Sequence, residues 1–161
     1  MHPHHPHFLA VHGRIFRAVD PEFRAFALTG SVTAGRYSRP DEPALYLSSS
    51  REGVEAALIA HRDSRHPGLE IIELDVVASS VVDPRDADAR ASLGIDPSEP
   101  IAPWQELVAE GKTPPSWVVR DRLVDAGADG VIDPSRQRPR LWHLVLFRWN
   151  DPGAPTVRVL N

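Results

Sequence analysis

Apolar residues in this chain gather into a few short runs, separated by polar and proline-rich intervals, and the runs predict its elements. Residues 69–77, LEIIELDVV, are rich in β-branched side chains and read as a strand. Residues 141–149, LWHLVLFRW, carry the strongest strand pattern in the sequence. Shorter strand patterns fall at 14–19, 44–47, 130–132 and 156–160, the last as an edge strand. Helical signals lie between them. Ser49 or Ser50 offers an N-cap, and Glu52 in the first turn favours a helix over about residues 51–61. Further short helices are predicted at 21–26, at 86–93 before Gly94, and at 103–110 before Gly111. Another spans 116–126, where Val118, Val119, Leu123 and Ala126 share a face and Gly127 ends the run.

Strands and helices alternate irregularly, without a steady βαβ rhythm. The pattern therefore predicts an α+β fold, a twisted mixed or largely antiparallel sheet surrounded by short helices. No repeat or linker divides the chain. One domain is expected over residues 8–161, behind a tail at residues 1–7 whose histidines and prolines suit no regular element.

Composition narrows the classes. A chain of 161 residues suits a single core, and 42% apolar with 25% charged residues is ordinary for a globular protein. The net charge of −4 argues against a general nucleic-acid binder, which needs a basic field. With no cysteine, disulfides, thiolate catalysis and cysteine-ligated metals are excluded. No apolar run approaches the roughly 18–20 residues that span a bilayer. The first residues lack a signal-peptide pattern, so a cytoplasmic protein without membrane contact is the expectation. The usual nucleotide cradles, the Gly-x-Ser-x-Gly elbow and a His-Glu-x-x-His pair are all missing. His61 and His66 have no carboxylate arrangement that would complete a metal site, and no metal is expected. His143, inside the strongest strand, reads as a packed or hydrogen-bonded core histidine.

The chemistry concentrates in residues 35–58, GRYSRPDEPALYLSSSREGVEAAL. A loop with an arginine, a strand with a tyrosine and a helix with carboxylates follow one another there. Phe16-Arg17, Gly35-Arg36-Tyr37-Ser38 and Pro43-Ala44-Leu45-Tyr46 precede an acidic helix, and Pro114-Pro115-Ser116-Trp117 comes later. Gly130-Val131-Ile132-Asp133-Pro134-Ser135 and Leu144-Val145-Leu146-Phe147-Arg148-Trp149-Asn150 follow. In order and spacing these elements resemble the RES domain family, with Ser38 where that family usually has asparagine.

The resemblance implies a fold related to ADP-ribosyltransferases and a toxin of a bacterial toxin–antitoxin pair. Its substrate would be NAD, cleaved at the nicotinamide bond by hydrolysis or phosphorolysis, or used to transfer ADP-ribose to a protein. Its partner would be an Xre-type helix-turn-helix antitoxin; a homo-oligomer stays open. On this reading Arg17 and Arg36 hold the pyrophosphate, since guanidinium groups meet phosphate oxygens bidentately. Tyr46 and a glutamate stabilise the ribosyl cation, and Ser135 orients the ligand. The family's glutamate position falls on Ala57. Glu55 is the residue expected to supply the acid, with Glu52 as the alternative. Glu55 lies about 200° around the helix from position 57. Loss of the acid would instead leave a degenerate domain that binds without turnover.

Overall fold

The computed structural model describes residues 6–60 and 68–160. Its strands are β1 (Leu9–Val19), β2 (Leu45–Ser48), β3 (Glu70–Val82), β4 (Gly130–Pro134), β5 (Trp142–Leu146) and β6 (Thr156–Val159). Its α-helices are α1 (Arg51–Ala60), α2 (Ala87–Leu93), α3 (Gln105–Ala109) and α4 (Pro115–Asp125), with a 3-10 helix at Pro21–Phe26. The architecture is a mixed α+β single domain, as the pattern predicts.

The strands run in the order β1-β2-β5-β4-β3-β6, and β1 also pairs with β3, so the ladder closes on itself. Only β3 and β4 are parallel; the other pairs are antiparallel. The closure explains why β1 and β3 outrun their apolar patterns. They pair from Val19↔Glu70 to Leu9↔Val81, and the far end of β3 then pairs with β4 through Val81 and Val82. The seam between β1 and β2 is a single pair, Phe16↔Ser48.

Alternation along each strand sorts side chains to two faces. Leu45 and Leu47 of β2, Leu144 and Leu146 of β5 and Ile132 of β4 join Ile15, Ile72, Leu74 and Val76 in the interior. Complete burial of one such side chain stabilises by roughly 1.5–3 kcal/mol. Val131 and Val145 face the other way, into a second cluster with Ala89 of α2 and Val119 and Leu123 of α4. Gly130 is required where β4 meets β5, because a Cβ there would stand 2.6 Å from the Val145 carbonyl oxygen. Helix α2 has the ends its sequence promises. Asp86 accepts from the Asp88 N–H, and Gly94 caps the helix at φ 67.

Helix α4 differs from expectation. Its buried positions are Ser116, Val119, Arg120 and Leu123, so half of the inward face is polar. The reason lies in the loop it packs against.

Candidate functional site

A cavity of about 630 Å³ opens on the outer face of β2, β5 and β4. Its floor is Tyr46, Ser48, His143, Val145 and Asp133. These are outward positions on three neighbouring strands, and the register lines up Ser48, His143 and Asp133 in one row. Arg17 enters from β1, Val54, Ala57 and Leu58 from α1, and Arg36 from the loop before β2. Trp104, Gln105, Ser135, Arg136 and Gln137 complete the wall.

The loop at residues 35–43 is held from two sides. From the sheet, Tyr46 Oη accepts from the Tyr37 N–H at 3.0 Å and bonds Ser38 Oγ at 2.8 Å. Burial is the main cause that raises the Tyr46 phenol, and those two hydrogen bonds oppose it. From α4, Ser116 Oγ donates to the Arg36 carbonyl, and Trp117 Nε1 donates to the Gly35 carbonyl at 2.8 Å. Arg120 donates to the carbonyls of Tyr37 and Glu42, both at 2.7 Å, and stacks over Phe147. Buried backbone carbonyls need donors, and the polar side chains of α4 provide them. Gly35 leaves room for the arrangement. A Cβ there would lie 2.7 Å from both Ser38 Oγ and Tyr46 Oη.

The cations of the cavity are unevenly paired. Arg17 donates to the Tyr46 carbonyl at 3.1 Å, while its Nε is buried with no partner among the described residues. Arg36 donates to the carbonyls of Pro100 at 2.9 Å and Ala102 at 2.7 Å. Neither makes an ion pair among the described residues. Burial lowers the pKa of both, and for Arg36 the nearby charge of Arg136 adds to the effect. Arg136 does have a counter-ion. It meets Asp133 through two nitrogens, at 3.0 and 3.2 Å, and also reaches the Pro100 carbonyl at 3.1 Å. Two guanidinium groups thus hold residues 100–102, in the segment between α2 and α3.

His143 is both hydrogen-bonded and cavity-lining. Its Nδ1 stands 2.8 Å from Ser48 Oγ, and burial lowers its pKa, partly offset by Asp133. Ser135 is 3% exposed, lines the cavity and accepts from the Arg138 N–H at 3.1 Å.

The structure brings Arg17, Arg36, Tyr46 and Ser135 to one cavity. It does not bring Glu55 there. That side chain is exposed, and Val54, Ala57 and Leu58 turn inward in its place. Glu52 also points elsewhere, bonded to Arg138 at 3.1 Å and Arg140 at 2.9 Å. Among the described residues the carboxylate on the wall is Asp133, which lies just past the strand pattern at 130–132. Period-two alternation from Val131 was the available signal for its facing. Ser116, Trp117 and Arg120 were equally unmarked as supports.

A second cavity of about 580 Å³ lies beside α4, lined by Glu42, Asp121, Asp125, Asp129, Arg120 and Arg148. Its arginines are already engaged, Arg148 by Asp129 and Arg120 by backbone carbonyls. Among the described residues no three His, Asp or Glu side chains converge as a metal site would need, and no helix is long and apolar enough to cross a membrane. His61, His66 and residues 1–5 lie outside the described residues.

Comparison with known proteins bears on the whole chain. The sequence model of the RES domain matches residues 14–160. No curated protein matches significantly. Seven chains of solved structures do. One comes from the crystal structure of the M. tuberculosis MbcT-MbcA toxin-antitoxin complex, with a TM-score of 0.60 at 16% identity. The match covers 96% of this chain and 84% of that one. At that identity the likeness is one of fold.

Proposed function

The chain belongs to the RES domain family, and from that premise we propose that it is the toxin of a toxin–antitoxin pair and consumes NAD by breaking the nicotinamide–ribose bond. One observation carries the reading: Arg17 and Arg36 share a cavity and lack a carboxylate partner among the described residues. A guanidinium drawn partly out of water without a counter-ion is costly, and a pyrophosphate would supply the missing charge. The cavity also has the size of a small-molecule site.

Arg17 and Arg36 would hold the diphosphate bridge. Tyr46 fixes the loop that carries Arg36 and presents its ring to the same space. Ser135, at the end of β4, would orient the nicotinamide or its ribose by a hydrogen bond. Cleavage builds positive charge on the ribose, so groups that favour that cation more than the ground state accelerate it. Water or phosphate completes the reaction at the ribose carbon; a protein side chain in that place would make the enzyme an ADP-ribosyltransferase. The reading also supplies a partner, an Xre-type antitoxin, and a cytoplasmic setting where NAD is available.

The test is nicotinamide release from NAD by purified protein, with and without inorganic phosphate. Release that disappears in Arg36→Ala supports the reading, and its phosphate dependence identifies the acceptor. A folded protein that releases no nicotinamide, and whose expression does not slow growth, would overturn it in favour of a binding module.

A further inference from the structure

We infer that the catalytic carboxylate of this site is Asp133, supplied by strand β4, and that helix α1 supplies none. The inference rests on the NAD-cleaving reading above.

Heterolysis of the nicotinamide–ribose bond sends the bonding electron pair to the pyridinium nitrogen, which leaves as neutral nicotinamide. The ribose C1′ is left as an oxocarbenium-like cation. An oxygen of water or phosphate bonds to C1′; water then gives up a proton to solvent. A carboxylate beside that carbon stabilises the cation and accepts hydrogen bonds from the ribose hydroxyls. Among the described residues, the wall of the cavity holds one carboxylate, Asp133. The acids of α1 are elsewhere, Glu55 in solvent and Glu52 on Arg138 and Arg140. The α1 positions that do face the cavity are apolar: Val54, Ala57 and Leu58.

Asp133 is well placed for the role. It is 7% exposed, it sits beside His143 across the β4–β5 ladder, and it comes two residues before Ser135 on the same wall. The charge of Asp133 also acts on both Tyr46 and Arg36. Arg136 grips it through two nitrogens and fixes its orientation. An ionised carboxylate has about four lone-pair positions, so the grip leaves acceptor capacity for two ribose hydroxyls.

The experiment compares steady-state nicotinamide release by wild type, Asp133→Asn, Arg136→Gln and Asp133→Asn combined with Ala57→Glu, each checked for folding by thermal melting. Asp133→Asn is expected to lower kcat by about 100-fold with KM changed by less than about threefold. Arg136→Gln keeps the carboxylate and is expected to retain at least tenfold more kcat than Asp133→Asn, on the order of the difference between losing a charge and losing its support. Ala57→Glu puts a carboxylate on the opposite wall and is expected to restore at least about tenfold of the loss. Should Asp133→Asn fail to fold, Asp133→Glu keeps the charge and the Arg136 pair; its displaced carboxylate is expected to cost about tenfold in kcat. Active wild type with undiminished kcat in the folded Asp133 variant overturns the inference alone. Equal losses in Asp133→Asn and Arg136→Gln, without rescue by Ala57→Glu, also overturn it, since Asp133 would then act only by holding Arg136. A wild type that releases no nicotinamide removes the underlying reading and the inference with it.

Discussion

Tyr46 Oη, on strand β2, accepts the backbone N–H of Tyr37 at 3.0 Å, so a strand side chain anchors the loop that carries Arg36. The same oxygen bonds Ser38 Oγ at 2.8 Å. Tyr46→Phe removes both contacts and leaves a buried N–H and a buried hydroxyl without this partner. The variant is expected to lose about 1–3 kcal/mol of stability, measured by urea denaturation at unchanged m-value. The loss of order around Arg36 should appear in the same protein as a higher KM for NAD.

Gly35→Ala tests the same place from the opposite direction. Its new methyl would meet Ser38 Oγ and Tyr46 Oη at 2.7 Å, closer than carbon and oxygen approach without displacement. The expected cost is about 1–3 kcal/mol, and a thermal melt of the variant beside Gly53→Ala, where the nearest atom stands at 3.4 Å, checks that contact decides the difference.

Arg36→Ala should weaken NAD binding by roughly 10–100-fold, the worth of one or two charge-assisted hydrogen bonds at about 1.5–3 kcal/mol. Arg36→Lys should recover only part of it, because an ammonium cannot meet phosphate oxygens in the bidentate way. KM values at low and high salt check the assignment; the salt dependence of wild type should flatten in Arg36→Ala.

Acid should weaken the fold through His143. Burial lowers its folded pKa below the ordinary value of 6.5, so between the two values the unfolded chain binds more protons. Stability therefore falls as pH drops below about 6.5 and levels off once pH passes below the folded value. His143→Gln, which keeps a polar partner for Ser48 Oγ, should show a flatter melting temperature between pH 7.5 and pH 5.

Much of this architecture is legible in the chain. The runs at 69–77 and 141–149 contain the observed β3 and β5, or most of them, and Asp86 and Gly94 mark the ends of α2 as capping chemistry requires. Closure of the sheet is not legible, because it depends on the long β1–β3 register and on a one-pair seam at Phe16 and Ser48, neither of which has a local pattern. Within the site, Arg17, Arg36, Tyr46 and Ser135 could be assembled from spacing and resemblance. The acid could not. Search along the helix leads to Glu55, which helical geometry turns to solvent, whereas Asp133 approaches from a strand far away in sequence. The supports on α4 were hidden for a related reason. Ser116 and Arg120 look like surface residues until the carbonyls of residues 36–43 are known to need donors.

The Pro100 carbonyl accepts from both Arg36 and Arg136, and the Ala102 carbonyl takes a further donor of Arg36. Both Arg36 bonds come from one nitrogen, Nη1, so its Nη2 and Nε can meet an anion while the peptide oxygens stay bound. The peptide oxygens then hold the guanidinium in place before the anion arrives, which lowers the ordering cost of binding. Residues 100–102, between α2 and α3, are thereby tied to two arginines that line the cavity.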